Sequence, residues 1–400
     1  MTLILYILTV IVFFFLTFPF WTVLLSLFAK EKIGMPITKS YDFGCIITAY
    51  RNANIAKGLV KSLANQTHQN LHIYLVADAC DISDFNLLHE KFTLLKPSTD
   101  LNLKVKSIIY GTENFVRSHD FIAIFDADNI THPELLSELN RYANQGYVAI
   151  QGQRTAKNTD TNMAAADSLG ELYKNYIERY IPYLLGSSSV ISGSGMAVES
   201  QLYKAYLLSP EIEQGKHLWK KMLQEDKILQ NFLLSQNIKI AYAKNAITYD
   251  EKVTTADAVE TQRSRWLFSY FQNIPNSLGI LRRGIFNISL NQFYFGLITI
   301  SPPLFILLGC AILLALLGLI LSQWWVCGSI VIGIIIFVFT ILWTLYLSDA
   351  PKSVWQSIIS GVPTFIIRQM RAMFKIGNPN KNFTHTEHKV DISIDEILKK

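Results

Sequence analysis

The sequence predicts an α/β domain with a Rossmann-like mixed sheet that is attached to α-helical membrane-spanning segments. Two stretches without Asp, Glu, Lys or Arg, 3–29 and 284–348, are long enough to cross a hydrocarbon core of about 30 Å. Between them, short apolar runs alternate with longer mixed stretches, as in βαβ units. Only 17% of the residues are charged and 50% are hydrophobic, which argues against a wholly soluble protein and excludes disordered, collagen-like and disulfide-rich classes.

The first apolar stretch is interpreted as a retained membrane helix within residues 1–32. It lacks the cationic start, the short apolar run and the small-residue cleavage site of a secretory signal peptide, which is the alternative. The second stretch predicts two spans within residues 286–348, at 293–321 and 325–347, joined by a tight turn that contains two tryptophans.

Cations flank the three predicted spans on one side only, at Lys30, Lys32, Arg282, Arg283 and Lys352. Because Lys and Arg concentrate in cytoplasmic loops, we expect the N-terminus outside and residues 41–255 and 377–400 in the cytoplasm. The expected location is a bacterial inner membrane. The net charge of +5 is attributed to these loops rather than to nucleic-acid binding. Segments 256–285 and 349–376 mix apolar and cationic residues, which predicts that they lie in the membrane interface.

Within the cytoplasmic domain, apolar runs predict strands at 45–47, 71–76, 121–125 and 148–150, with helices at 55–63 and 133–143; the stretch 101–109 is ambiguous. Ligands of a mainly parallel sheet bind at the carboxyl ends of its strands. The polar residues that end or directly follow the first three predicted strands are therefore candidates, namely Thr48, Tyr50, Asp78, Asp126 and Asp128.

The Asp126-x-Asp128 pair carries its own chemical prediction. Carboxylates at i and i+2 can face one side of a strand end, and Mg²⁺ or Mn²⁺ commonly takes one or two carboxylates together with substrate phosphates. The pair therefore predicts a metal–diphosphate site. The alternative is a solvated turn, since Asp-Ala-Asp-Asn is also favourable turn chemistry.

Further motifs follow in order along the chain: Gly193-Ser194-Gly195, Glu225-Asp226 and Gln262-Arg263-Ser264-Arg265-Trp266. The ordered set resembles the processive branch of family 2 glycosyltransferases, which have a GT-A fold and include the cellulose, chitin, hyaluronan and poly-N-acetylglucosamine synthases. The Asp-x-Asp pair is weakly specific, whereas Gln-x-x-Arg-Trp downstream of a Glu-Asp pair is strongly specific. The resemblance spans residues 43–388.

The resemblance implies a role for each matching residue. It implies that the nucleotide-sugar is bound by Thr48, Tyr50, Asp78, Lys106 and Asp126, with Lys104 as a substitute for Lys106. Asp126 and Asp128 would hold Mg²⁺ or Mn²⁺, and Asp226 would be the general base. The diphosphate and the acceptor would be bordered by Gln262, Arg263, Arg265, Trp266 and Gly195. Three positions depart from the family pattern: Thr48 replaces a Pro, Ala53 replaces a Glu, and the Gly before the family's Lys is missing.

The tail resembles the Phe-x-Val-Thr-x-Lys gating loop of bacterial cellulose synthase at Phe383 and Thr386, with His388 in place of Lys; a solvated tail is the alternative. The resemblance implies an inverting hexosyltransferase that uses UDP-GlcNAc or UDP-Glc to elongate a β-linked polysaccharide. Alternatives are a single addition to a membrane lipid, as in ceramide glucosyltransferases, and an inactive membrane scaffold. Three spans are few for a polymer channel, which favours the lipid acceptor, a homo-oligomer or an export partner.

Overall fold

The structure is a computed structural model that describes residues 2–31, 36–218, 224–375 and 394–398. Its strands are β1 (Phe43–Asn52), β2 (Leu71–Asp81), β3 (Phe92–Leu95), β4 (Phe121–Asp126), β5 (Ile130–Thr131), β6 (Ala149–Ala156), β7 (Met196–Glu199) and β8 (Ala241–Asp250). Its helices are α1 (Thr2–Ser26), α2 (Lys57–Ala64), α3 (Lys104–Glu113), α4 (Leu135–Asn144), α5 (Asn162–Lys174), α6 (Ile181–Leu184), α7 (Ser200–Leu207), α8 (Pro210–Leu218), α9 (Glu225–Ser235), α10 (Ala256–Phe286), α11 (Leu290–Ile300), α12 (Leu304–Ile320), α13 (Trp324–Leu347), α14 (Lys352–Ser360), α15 (Val362–Phe374) and α16 (Ile394–Leu398).

The strands form one mixed sheet in the order β3-β2-β1-β4-β7-β6-β8-β5. The pairs β1–β2, β1–β4, β2–β3 and β6–β8 are parallel, and β7 runs antiparallel to both of its neighbours. The register sets Thr48 level with Asp126, and Tyr50 level with Asp78. The candidate residues at these strand ends therefore share one edge of the sheet.

Two helical layers cover the sheet. Helices α2 and α4 contribute Leu59, Leu63 and Leu139 to the core on one face, while α3, α7 and α9 cover the other face with residues such as Ile108 and Leu233. Strands covered on both faces are expected to be almost continuously apolar, as β1, β2 and β4 are. This arrangement confirms the predicted α/β fold with a mixed sheet, and the ambiguous stretch 101–109 contains the start of α3.

Two helices, α1 and α13, are long and apolar enough to cross a membrane. The predicted span over 293–321 consists of two helices, α11 and α12, which are bent by 69° at their junction, as in a broken span or a re-entrant loop. The physical reason is Pro302-Pro303 at the break, since proline lacks the N–H of a helix interior and its ring clashes with the preceding turn. If the bent pair forms one span, the described part of the chain has three candidate spans; the number of spans and their orientation stay predictions.

Helices α1, α12 and α13 pack against one another through apolar side chains, and the space between them contains Leu16, Ala311, Val326, Ile330 and Phe337. Gly333 of α13 permits the close approach to α1, since a Cβ there would lie 3.1 Å from Leu16 Cδ1. The candidate membrane helices also contact the sheet domain: Val23 of α1 packs on Tyr173 and Ile177, at and just after the end of α5. Helix α5 thus connects these helices to the candidate site.

Candidate active site

The turn after β4 is tied to the glycine-containing loop at 193–195. Buried Asn129 accepts the backbone N–H of Asp126 at 3.2 Å, and the Ser194 hydroxyl donates to the same Asn129 oxygen. Ser194 is fully buried, so this link is shielded from water. Asn129 fixes the position of the Asp-x-Asp turn relative to the loop. The sequence showed Asn129 only as a turn residue.

Gly195 lies where a side chain would not fit. Its φ is +62°, and a Cβ would lie 2.4 Å from Thr248 Oγ1. Its N–H donates to the Ile124 carbonyl at 2.9 Å and its carbonyl accepts from Gly152 N–H at 2.8 Å. Gly195 therefore cannot shift away from β8 without breaking backbone hydrogen bonds, which fixes the loop between β4 and β6.

A buried glutamine holds the same loop from the opposite side. Gln151 of β6 donates to the Ser194 carbonyl at 3.0 Å and accepts the Ser192 N–H at 2.9 Å. Between these contacts Gly193 has a φ of +81° and faces Asp226, since its Cβ would lie 3.6 Å from Asp226 Cβ. The loop thus brings the Gly-Ser-Gly and Glu-Asp motifs into contact.

The lysine that reaches the acid pair is Lys104, at the start of α3. Its Nζ lies 2.6 Å from Asp126 Oδ1, 3.0 Å from the Gly193 carbonyl and 3.5 Å from Glu225 Oε1. Burial by itself would lower the pKa of Lys104, but the surrounding carboxylates, Asp126 foremost, outweigh it and raise that pKa. The ammonium group is therefore charged at neutral pH.

Lys106, the first choice from the family pattern, does not share these contacts. It lies two residues further along α3, and successive residues of a helix are separated by about 100° around its axis. The two lysines therefore leave the helix in nearly opposite directions. The missing Gly of the family pattern made the alignment of this lysine ambiguous, and the helix phase brings Lys104, not Lys106, to Asp126.

Glu225 and Asp226 occupy the first turn of α9, where the helix dipole favours negative charge. Asp226 accepts the N–H of Lys227 at 2.9 Å, and its side chain is 26% exposed. Burial raises the pKa of Glu225 to about 7; Lys104 opposes this shift and the charge of Asp226 adds to it. The site therefore contains two adjacent carboxyls, of which the one nearer to Lys104 takes up a proton close to neutral pH.

Asp78 binds backbone rather than facing an open cleft. Its carboxylate oxygens accept the N–H groups of Leu101 at 2.7 Å and Asn102 at 2.8 Å, and the residue is 2% exposed. Tyr50 donates its hydroxyl to Asn102 Oδ1 at 2.8 Å, and Asn102 has a φ of +57°. Asp78 and Tyr50 therefore shape the loop that leads into α3 and Lys104, while Thr48 lies half-buried beside them.

The Gln262–Trp266 motif lies on α10, against α5 and α15. Arg263 is 9% exposed and donates to Asp167, and its guanidinium carbon lies 4.1 Å from the centre of the Trp266 ring. Lys174 Nζ also lies over that ring, at 5.0 Å. Arg263 and Trp266 thus contact each other and α5, a packing that sequence spacing could not reveal, and their roles beside the diphosphate and the acceptor stay predictions.

The other members of this motif are also partly enclosed. Burial lowers the pKa of Arg265. The side-chain oxygen of Gln262 is buried and has no hydrogen-bond partner among the described residues. Since buried polar atoms are nearly always paired, this oxygen is an exception within the motif. The predicted place of Gln262 beside the diphosphate and the acceptor stays a prediction.

A buried ionic network that the sequence did not reveal lies behind the glycine loop. Glu171 contacts Arg179 at 2.7 Å, Arg154 at 2.9 Å and Lys252 at 3.3 Å, and Lys252 also contacts Asp250 at 2.8 Å. Burial would raise the pKa of Glu171, but the three cations outweigh it and lower that pKa well below its usual range. Arg154 further donates to the Ser192 carbonyl at 3.4 Å, so the network supports the loop that faces Asp226.

The donor set fits a metal that is held together with substrate phosphates. In the described part of the chain, no group of three or more His, Cys, Asp or Glu side chains could by itself hold a metal ion. Asp126, whose side chain is 38% exposed, and half-buried Asp128 offer carboxylate oxygens, which suit Mg²⁺ or Mn²⁺ with phosphate and water as further ligands. The expected gating-loop residues Phe383, Thr386 and His388 lie outside the described residues.

Solved structures similar to this chain include a mannosyltransferase, PcManGT from Pyrobaculum calidifontis, in complex with GDP-Man and Mn²⁺. It is 11% identical with a TM-score of 0.57, and the match covers 93% of this chain and 97% of that one. TarS 1–349 of S. aureus is 14% identical with a TM-score of 0.42, covering 84% and 92% of the two chains. At these identities the similarity to PcManGT shows the fold alone.

A comparison with curated proteins found no match. The profile of the family described as glycosyltransferase like family 2 matches residues 42–269, which is more than half of the chain. This range contains the Asp-x-Asp turn, the glycine loop, the Glu-Asp pair and the Gln-x-x-Arg-Trp motif, and it includes the whole mixed sheet. The chain therefore belongs to family 2 of the glycosyltransferases and is a glycosyltransferase with a GT-A fold.

Proposed function

We propose that this enzyme transfers a hexose from a UDP-sugar, UDP-GlcNAc or UDP-Glc, to a hydroxyl group at the cytoplasmic surface of a bacterial inner membrane. The observation that carries the proposal is the convergence of Lys104, Asp126, Glu225 and Asp226 at the carboxyl edge of the sheet. A cation beside three carboxyls, next to an Asp-x-Asp turn, suits a diphosphate, a divalent cation and an acceptor hydroxyl. The apolar helices α1 and α13 support a membrane location.

The leaving group is stabilised by cationic partners. Asp126 and Asp128 would hold Mg²⁺ or Mn²⁺, which supplies Lewis-acid stabilisation of the departing diphosphate when bound. Lys104 lies within reach of the same position and can donate to a phosphate oxygen once the diphosphate arrives. Arg154 adds a fixed positive charge behind the glycine loop.

Asp226 would accept the proton of the acceptor hydroxyl as general base, a role often worth about 10²–10⁴ in rate. The glycine loop lets the acceptor approach this carboxylate, since Gly193 presents no side chain beside Asp226. A single displacement with one base inverts the anomeric carbon. An α-linked UDP-sugar would therefore give a β-linked product.

Two acceptors follow from the sequence, a growing β-linked polysaccharide and a membrane lipid. The space between α1, α12 and α13 is filled by apolar side chains such as Leu16, Ala311 and Phe337. A hydrated polymer could not pass through this packing within one chain, which favours a lipid acceptor and a single addition. Polysaccharide elongation would instead require several copies or a partner to form the passage.

Product analysis tests the proposal. Purified full-length protein in nanodiscs receives Mg²⁺ or Mn²⁺ and radiolabelled UDP-sugars, with and without bacterial lipid extract. Asp226→Asn is the variant, and Asp84→Asn, at an exposed carboxylate on a loop, is the matched control. We expect one labelled species that moves with organic solvent, lost in Asp226→Asn and retained in the control.

A labelled ladder or polymer at the chromatographic origin would establish polysaccharide elongation in place of lipid glycosylation. Release of UDP that Asp226→Asn leaves unchanged would refute the assignment of the base. Absence of transfer and of UDP release with every donor would refute the proposed UDP-sugar chemistry.

A further inference from the structure

The ammonium group of Lys104 lies against the acidic side chains of the proposed active site. It contacts Asp126 Oδ1 at 2.6 Å and Glu225 Oε1 at 3.5 Å, and Asp226 also acts on it electrostatically. A third, uncharged oxygen, the Gly193 carbonyl, accepts a hydrogen bond from it at 3.0 Å. Lys104 is thus bound by oxygen atoms of the kind that Mg²⁺ and Mn²⁺ prefer.

The position of Lys104 in its helix shows that the acid cluster holds it there. It is the first residue of α3, where the helix dipole disfavours a cation, and the N-cap residue Leu103 provides no side-chain cap. Its four-carbon chain could direct the charge to solvent, yet the side chain is only 26% exposed. The attraction of the carboxylates therefore outweighs both the dipole and the loss of hydration.

We infer that Lys104 makes binding of the divalent cation depend on the diphosphate, an inference that rests on the proposed function. Without nucleotide, a metal ion would have to displace the ammonium from Asp126, and the side chain would keep its positive charge nearby. The described part of the chain offers no group of three or more acidic, His or Cys side chains that could hold the ion by themselves. Metal alone therefore binds weakly.

The diphosphate affects both the metal ion and the Lys104 ammonium, which compete for Asp126. Its oxygens provide the ligands that the protein lacks, and they also offer Lys104 a new anionic partner, so the ammonium can leave Asp126 without losing its ion pair. The metal and the nucleotide then enter together, and the site does not fill with metal between turnovers. Lys104 acts here as a positioning residue for the metal rather than as a ligand.

Titration of Mn²⁺ into the full-length protein in detergent, with free Mn²⁺ measured by electron paramagnetic resonance, tests this inference. Wild type, Lys104→Gln, Lys104→Arg and the control Lys61→Gln, at an exposed lysine on α2, are each measured with and without UDP. Removing one charge next to the site should tighten binding of Mn²⁺ alone by about tenfold or more. Lys104→Arg and Lys61→Gln should bind Mn²⁺ alone as weakly as wild type.

UDP should tighten Mn²⁺ binding strongly in wild type and much less in Lys104→Gln. Equal affinities of wild type and Lys104→Gln for Mn²⁺ alone would overturn the inference, as would wild-type binding that UDP does not improve. Because Lys104→Arg retains the charge, tight binding of Mn²⁺ alone by this variant would also contradict it. If wild type fails to bind Mn²⁺ even with UDP, the metal dependence in the proposed function fails as well, and the two failures are thereby distinguished.

Discussion

Replacing Gly195 by alanine is expected to destabilise the protein by about 2–5 kcal/mol, which combines two separate costs. The φ of +62° is unfavourable for a residue with a Cβ by about 1–2 kcal/mol. The new Cβ would also lie 2.4 Å from Thr248 Oγ1 and 3.0 Å from Thr248 Cβ, and such overpacking typically costs about 1–3 kcal/mol. The backbone cannot relieve the clash freely, because both its N–H and its carbonyl are hydrogen-bonded to neighbouring strands.

Gly146→Ala provides a matched control, since its φ is +86° but no atom lies within 4 Å of its built Cβ. It isolates the backbone cost from the steric cost. In a thermal unfolding assay in detergent, at about 2–4 °C per kcal/mol for a domain of this size, Gly195→Ala should lower the Tm by about 4–20 °C. Gly146→Ala should lower it by only a few degrees.

The double variant Gly195→Ala/Thr248→Ala removes the hydroxyl and methyl that would clash and should recover part of the loss. Equal Tm values for Gly195→Ala and Gly146→Ala would refute the steric reasoning. A Gly195→Ala protein with unchanged Tm and unchanged transferase activity would refute the placement of this loop beside Asp226.

Two further predictions concern buried charges. Asp167→Asn leaves the 9% exposed Arg263 without its charged partner, so the free energy of unfolding should fall by about 3–5 kcal/mol. The control Lys39→Ala breaks an exposed ion pair and should lower it by less than about 1 kcal/mol. A raised KM for the donor with an unchanged Tm would instead indicate that Arg263 binds the diphosphate. The pKa of Glu225 is raised from 4.5 to about 7, so between these pH values the folded state keeps a proton that the unfolded chain loses. The contribution of protonated Glu225 to the free energy of unfolding is therefore complete below pH 4.5 and is lost as the pH rises through 7. The Tm of Glu225→Gln should therefore rise relative to that of wild type between pH 5 and 8. Plots of Tm against pH that run parallel for the two proteins would contradict the raised pKa of Glu225.

Much of the fold could be predicted because the signals are local. The strands around 45–47, 71–76 and 121–125 are buried apolar runs, and the structure confirms them in parallel register. The acids that follow such strands must meet at one sheet edge, since parallel strands end there together. The Pro302-Pro303 pair was visible in the sequence as well, but only the structure shows the 69° bend between α11 and α12 at this point.

The sequence by itself determined the class of this protein: an α/β sheet, apolar helices on either side of it, and the order of the acidic and glycine motifs of a glycosyltransferase. The sheet and the helices follow from composition and short-range periodicity, whereas the motif order points to a glycosyltransferase through the resemblance to family 2. Only the tertiary structure decided which side chains meet. The phase of α3 directs Lys104 rather than Lys106 to Asp126, and the packing of α10 on α5 pairs Arg263 with Asp167. Such pairings depend on how separate elements are oriented in space, and residues far apart in the chain carry no local signal of their contact.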